Sequence, residues 1–340
     1  MPLRRIATLA ILLGLTAYVS VTAAQSSGGA ASTTEQIRVV NQALRGAPPS
    51  GPFSVVIEHD QHLATHTVYR PATLDPSKHS VMVWGEGACV KNGLTFPDFL
   101  AEIASYGFVV VADGPPVAQT PRGGQGGPGG PAAAGQGQAP AAPRGGQRGG
   151  AAPAGPGRGG APTTINADGT PLTAAIDWLA REAADPGSRF YQKVDTTHVA
   201  AMGMSCGGLM AYNVSADPRI ATVGIWNSGL LQPDEKIFAA LDSPVIIVTG
   251  GESDIAYANG KRDFETMPAR VPVFYGVFPS VGHGGTYTES NGGAFGKAAV
   301  AWLKWQLMND SSAAGKGYFV GASCGLCSNS QWKTDSRSLR

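Results

Sequence analysis

The run Gly203-Met204-Ser205-Cys206-Gly207-Gly208 restricts the fold more than any other part of the chain, because it directly follows the apolar stretch 198–202 and directly precedes the apolar stretch 209–214. Glycines at 203 and 207 allow a strand to turn sharply into a helix, where Cβ atoms would clash. A serine at the apex of such a turn is lifted off the sheet edge, and the helix N-terminus beneath it favours negative charge developing there. The rest of the chain agrees with this local reading. Apolar, β-branched runs at 54–57, 67–69, 80–84, 108–112, 198–202, 221–225, 244–249 and 272–277 alternate with helical stretches at 98–106, 172–184 and 295–308. This order predicts an α/β fold with an eight-stranded, mostly parallel sheet, opened by an antiparallel pair and covered by helices on both faces. In the last helix Val300, Leu303 and Leu307 share one face at helical spacing, which makes Trp302 and Trp305 packing residues.

Composition divides the chain into parts. Residues 1–24 carry Arg4 and Arg5, then an apolar run, then small residues at Thr22, Ala23 and Ala24, the pattern of a cleavable secretory signal. The apolar run is shorter than the ~20 residues that a membrane span needs, and the arginine pair leaves the twin-arginine route open. Residues 25–50 read as a linker, 51–311 as a single catalytic domain, and 312–340 as a cysteine-containing tail. Within the domain, 120–164 is a Gly/Pro/Ala-rich insertion without an acidic residue, a composition that cannot bury a core and predicts disorder. Arg122, Arg144, Arg148 and Arg158 each precede two glycines there, but no aromatic side chains are interleaved, so we read a flexible insertion rather than a nucleic-acid-binding segment. Setting aside these four arginines and the two of the leader, 19 basic residues face 24 acidic ones, a mildly acidic body with no field that would favour nucleic acid.

A serine hydroxyl is a weak nucleophile and needs a base, and the base needs a partner to hold its tautomer. The only histidine C-terminal to Ser205 is His283, in Val281-Gly282-His283-Gly284-Gly285 after the last strand; His59, His62, His66, His79 and His198 all lie upstream. The acid is expected just beyond the run 245–249, where Gly250-Gly251-Glu252-Ser253-Asp254 offers Asp254, with Glu252 as the alternative. Acyl transfer also needs two N–H donors aimed at an oxyanion. One falls to the backbone of Cys206; the other to Glu86 or Gly87, in the glycine-rich loop Gly85-Glu86-Gly87-Ala88-Cys89 after 80–84. Cys89 and Cys206 thus flank the two halves of the expected oxyanion site, either as a disulfide that holds its geometry or as two small buried thiols. Cys324 and Cys327 lie in a Ser/Gly/Asn-rich segment without a nearby histidine, which favours a local disulfide over half of a zinc site. No metal or cofactor is expected.

The sequence resembles the dienelactone-hydrolase-like branch of the α/β-hydrolases and, within it, the bacterial cutinases and polyester (PET) hydrolases. The likeness is collinear from about Gly51 to the C-terminus apart from the insertion. It rests on Gly51-Pro52-Phe53, Ala104-Ser105-Tyr106-Gly107-Phe108-Val109-Val110, the serine turn, the Asp254 and His283 loops, and Ala301-Trp302-Leu303-Lys304. The resemblance implies an α/β-hydrolase fold, a Ser/Asp/His triad at Ser205, Asp254 and His283, and a backbone oxyanion hole that includes Cys206. It also implies a substrate-holding tryptophan at Trp226. The chain departs from those enzymes in having cysteine rather than methionine after the serine, glycines rather than an aromatic residue at 85–87, and the long insertion.

These readings converge on an exported monomer that cleaves small or polymeric carboxylic esters through an acyl-enzyme, with no nucleic-acid partner and no membrane span once the signal is removed. Two alternatives stay open: another acyl bond, such as a lactone or a short peptide amide, or an inactive hydrolase scaffold serving as an envelope binding protein.

Overall fold

The computed structural model describes residues 37–39, 41–117 and 167–339. The leader at 1–24 and the insertion at 120–164 lie outside them. Among the described residues ten strands form one sheet: β1 (Ile37–Val39), β2 (Val55–Asp60), β3 (His66–Pro71), β4 (His79–Gly85), β5 (Val109–Asp113), β6 (Val194–Met204), β7 (Ile220–Trp226), β8 (Val245–Thr249), β9 (Val273–Val277) and β10 (Lys333–Arg337). Their spatial order is β1-β2-β3-β5-β4-β6-β7-β8-β9-β10. The pairs from β5 through β9 are parallel, whereas β1 to β3 and β10 are antiparallel additions at the two ends.

Strands β4, β5, β8 and β9 are buried along their whole length, and β6 and β7 along their C-terminal parts, because both faces are covered. Their side chains alternate between two cores. Val81 and Val83 of β4, Val109 and Val111 of β5, and Val245 and Ile247 of β8 face one side, where α2 (Thr170–Ala184), α3 (Cys206–Asn213), α4 (Glu235–Ala240) and α5 (Tyr257–Thr266) pack. Met82 and Trp84, Val110 and Ala112, and Ile246 and Val248 face the other, beneath α1 (Pro97–Ser105) and α6 (Gly293–Met308). Trp302 of α6 is fully buried and its indole donates to Thr222 Oγ1 of β7 at 2.8 Å, which ties the last helix to the sheet centre. Trp305 stacks on Phe319. Both tryptophans are therefore packing residues.

The eight expected strands correspond to β2 to β9, and the sheet is two strands wider than expected. β1 has only three residues. β10 reads Lys-Thr-Asp-Ser-Arg, with exposed or half-buried side chains, so its place is set by backbone pairing to β9 and it carries no apolar periodicity. The segment between α6 and β10 contributes Phe319, Cys324, Leu326 and Trp332 to the second core. Cys324 and Cys327 are joined by a disulfide.

Candidate active site

The C-terminal ends of β4, β6, β7, β8 and β9 lie side by side, so the loops leaving them meet at one edge. At the end of β6 the chain reverses through Ser205, whose φ of 53° and ψ of −114° belong to a conformation that L residues rarely adopt. The turn is held by Ser205 N–H donating to Trp226 O at 2.9 Å and Ser228 Oγ donating to Ser205 O at 2.6 Å. A Cβ on Gly203 would stand 2.3 Å from the Gly207 carbonyl, and one on Gly207 would stand 1.9 Å from the Gly85 carbonyl oxygen. Glycine at these two positions therefore answers a contact between backbones.

His283 lies in a single 3-10 turn (Gly282–Gly284) after β9. Its Nε2 is 3.0 Å from Ser205 Oγ and its Nδ1 is 2.6 Å from Asp254 Oδ1. Asp254 follows β8 and its carboxylate is fully buried. Burial pushes its pKa up, but the His283 contact, the N–H groups of Gly250 and Ala256, and the Asn227 amide outweigh this and hold it below the ordinary carboxylate value. Glu252, the alternative acid, is exposed. With its proton on Nδ1 facing Asp254, the imidazole presents the lone pair of Nε2 to the serine hydroxyl, the arrangement that general-base activation of an alcohol requires.

Sequence reasoning overlooked Asn227. Its Nδ2 donates to Asp254 Oδ2 at 2.7 Å and to Gly282 O at 3.0 Å, while its Oδ1 accepts from the buried Tyr287 hydroxyl at 2.6 Å. One amide thus links the loops after β7, β8 and β9. Its position immediately after a strand, among small residues, was the available signal.

Trp226 corrects the expectation of a substrate contact. It is 0% exposed and packs against Phe99 and Phe295 beneath the sheet, because alternation along β7 turns its side chain towards the second core. Glu86, Gly87 and Cys89 lie on the loop after β4, in and just before a 3-10 turn at Gly87–Cys89. Cys89 and Cys206 form a disulfide with a Cα–Cα distance of 5.3 Å, which answers the choice left open between a bond and two thiols. The Glu86 side chain is fully buried. Its carboxyl oxygens have no well-formed hydrogen bond, the Trp84 indole and the Thr95 hydroxyl being the nearest donors, and burial drives its pKa well above the usual value.

A groove of about 110 Å³ opens beside Ser205 and His283, walled by Cys206, Leu209, Leu231, Ile255 and Ala256. Leu231 is 45% and Ile255 81% exposed, so the mouth of the groove is apolar. Among the described residues no group of His, Cys, Asp and Glu side chains could hold a metal ion, and no helix is long and apolar enough to cross a membrane.

A mostly parallel sheet between two helical layers, with a serine turn after β6, an aspartate after β8 and a histidine after β9, defines an α/β-hydrolase fold. Residues 180–311 match the dienelactone hydrolase family, a family of the α/β-hydrolase superfamily. The match spans the strands and loops that carry Ser205, Asp254 and His283. No curated protein matches the chain, and the finer likeness to cutinases and polyester hydrolases has no counterpart in these comparisons.

Proposed function

We propose that the protein is an exported serine hydrolase that cleaves carboxylic esters through an acyl-enzyme. Ser205 attacks the carbonyl carbon; His283 takes the serine proton and passes it to the departing alcohol; Asp254 orients the imidazole and stabilises its charged form. Water, activated by the same histidine, then releases the acid. The backbone N–H of Cys206, with that of Gly87 or Glu86, carries the oxyanion. The observation that carries this reading is the continuous contact from Asp254 Oδ1 through both nitrogens of His283 to Ser205 Oγ, at 2.6 and 3.0 Å.

Export is supported by the leader-like composition of 1–24 and by two disulfides, which persist in oxidising compartments. The groove has room for roughly four water-sized groups. This favours a short acyl chain, with the alcohol leaving through the open side. A lactone, an internal ester, is opened by the same steps.

Labelling with a fluorophosphonate probe tests the reading. Wild-type protein should be modified at Ser205, and Ser205→Ala should lose both labelling and hydrolysis of p-nitrophenyl acetate. A wild type that does not react would leave the scaffold reading standing instead.

A further inference from the structure

Four non-glycine residues with left-handed backbone cluster at the candidate site: Ala88 (φ 53°), Cys89 (φ 50°), Ser205 (φ 53°) and Asn227 (φ 42°), the last held by its hydrogen bonds to Asp254, Gly282 and Tyr287. Such conformations persist only where the surroundings over-determine them. For Ser205 the surroundings are evident, since backbone and side-chain hydrogen bonds from β7 and its loop hold it. For Ala88 and Cys89 the hydrogen bonding is sparse: the turn is closed by Val90 N–H donating to Gly87 O at 3.1 Å, and Ala88 and Val90 are exposed. What remains is the covalent bond from Cys89 to Cys206, the residue that follows Ser205 and opens α3. The loop has little room to sit elsewhere while that bond is intact. Gly85 lies against Gly207 backbone to backbone, and a Cβ on Gly87 would stand 2.6 Å from Met204 Sδ.

We propose that the Cys89–Cys206 disulfide is a positioning element for catalysis, holding Ala88 and Cys89 in left-handed geometry so that the loop after β4 and the N-terminus of α3 present their N–H groups to one oxyanion. This rests on the serine-hydrolase reading above and adds to it that turnover depends on the oxidation state of this bond. A dithiol reductant that closes to its cyclic disulfide delivers two electrons and two protons, leaving Cys89 and Cys206 as thiols. The loop is then free to leave the left-handed region, and one oxyanion donor moves out of register. Loss of one such donor lowers turnover by about 100- to 1000-fold, so a partial displacement lowers kcat by roughly tenfold or more.

The experiment uses the full chain with Cys324→Ser and Cys327→Ser, so that only one disulfide can be reduced, and this background should keep wild-type kcat. Kinetics on p-nitrophenyl acetate are compared before and after reduction, with thiols counted by alkylation and intact mass, and in Cys89→Ala and Cys89→Gly. The expected result is a kcat at least tenfold lower after reduction and in Cys89→Ala, with KM changed less than about threefold. Cys89→Gly should retain more turnover than Cys89→Ala, because glycine adopts positive φ without steric cost. A bond that merely stabilises the fold would lower the resistance of both variants to denaturant and leave the kcat of the folded protein unchanged. Unchanged kcat after verified reduction, or equal kcat in the alanine and glycine variants, overturns the proposal. If Cys89→Ala does not fold, the reduction arm decides alone. Failure of the oxidised protein to label with fluorophosphonate would instead count against the hydrolase reading.

Discussion

Asp254 and Glu86 are both buried carboxyl groups near one sheet edge, and their surroundings send them in opposite directions. Asp254 accepts from His283, Gly250, Ala256 and Asn227, so it is held ionised despite burial. For Glu86 burial outweighs the contacts from the Trp84 indole and the Thr95 hydroxyl and drives its pKa well above the ordinary carboxylate value. A carboxyl whose pKa is raised by folding contributes stability below its unfolded pKa and loses it as pH rises towards the folded value. Glu86→Gln keeps the shape and removes the titration. The variant should therefore gain on wild type as pH rises above the ordinary carboxylate range towards the raised value of Glu86, with a slope of at most about 1.4 kcal/mol per pH unit. Urea unfolding across that range measures the gap, and a gap independent of pH would contradict it. Asn227→Ala should act on the other carboxyl. It leaves Asp254 Oδ2 and the Tyr287 hydroxyl each one partner short. We expect a stability loss of about 1–3 kcal/mol and a kcat lower by roughly tenfold, since small displacements of reacting groups are costly. Steady-state kinetics beside a denaturant titration separates the two effects.

At the scale of elements, chemistry and selectivity share the same loops. The segment after β7 carries Asn227 and Leu231; the segment after β8 carries Asp254 and Ile255. Strands β7 and β8 each pair with a neighbour on both sides, so these loops are free to differ in side chain without disturbing the frame. Leu231→Ala should widen the groove while leaving Ser205, His283 and Asp254 in contact. The ratio of kcat/KM for a hexanoyl ester to that for an acetyl ester is expected to rise by roughly tenfold, the order of discrimination that a few methylenes supply. Graded p-nitrophenyl esters check this, and an unchanged ratio would show that Leu231 does not bound the acyl group.

Across the whole molecule, stability depends on a C-terminal segment that looks dispensable in sequence. β10 covers the β9 edge, and Trp332, 6% exposed, packs against Phe278 and Phe295, the latter also touching Tyr287 and Trp226. Trp332→Ala should cost about 3 kcal/mol, in the range for large aromatic truncations in a core. Thermal or denaturant unfolding will register it, and a cost below about 1 kcal/mol would mean that the segment merely rests on the surface.

The sequence by itself determined the elements whose signals are local. Strands buried on both faces announce themselves as apolar runs, and the Gly203 to Gly208 turn is legible because only glycine tolerates its close backbone approaches. His283 was legible by elimination, as the last histidine in the chain. Only the tertiary structure decided what depends on packing direction or on contacts between distant segments. It turned Trp226 inwards, exposed Glu252 and buried Asp254, brought Asn227 to the acid, joined Cys89 to Cys206 across 117 positions, and set a polar strand against β9. The physical reason is common to all of them: composition and periodicity report how one segment meets solvent, whereas a hydrogen bond, a disulfide or an edge pairing depends on where a second segment, encoded elsewhere, comes to lie.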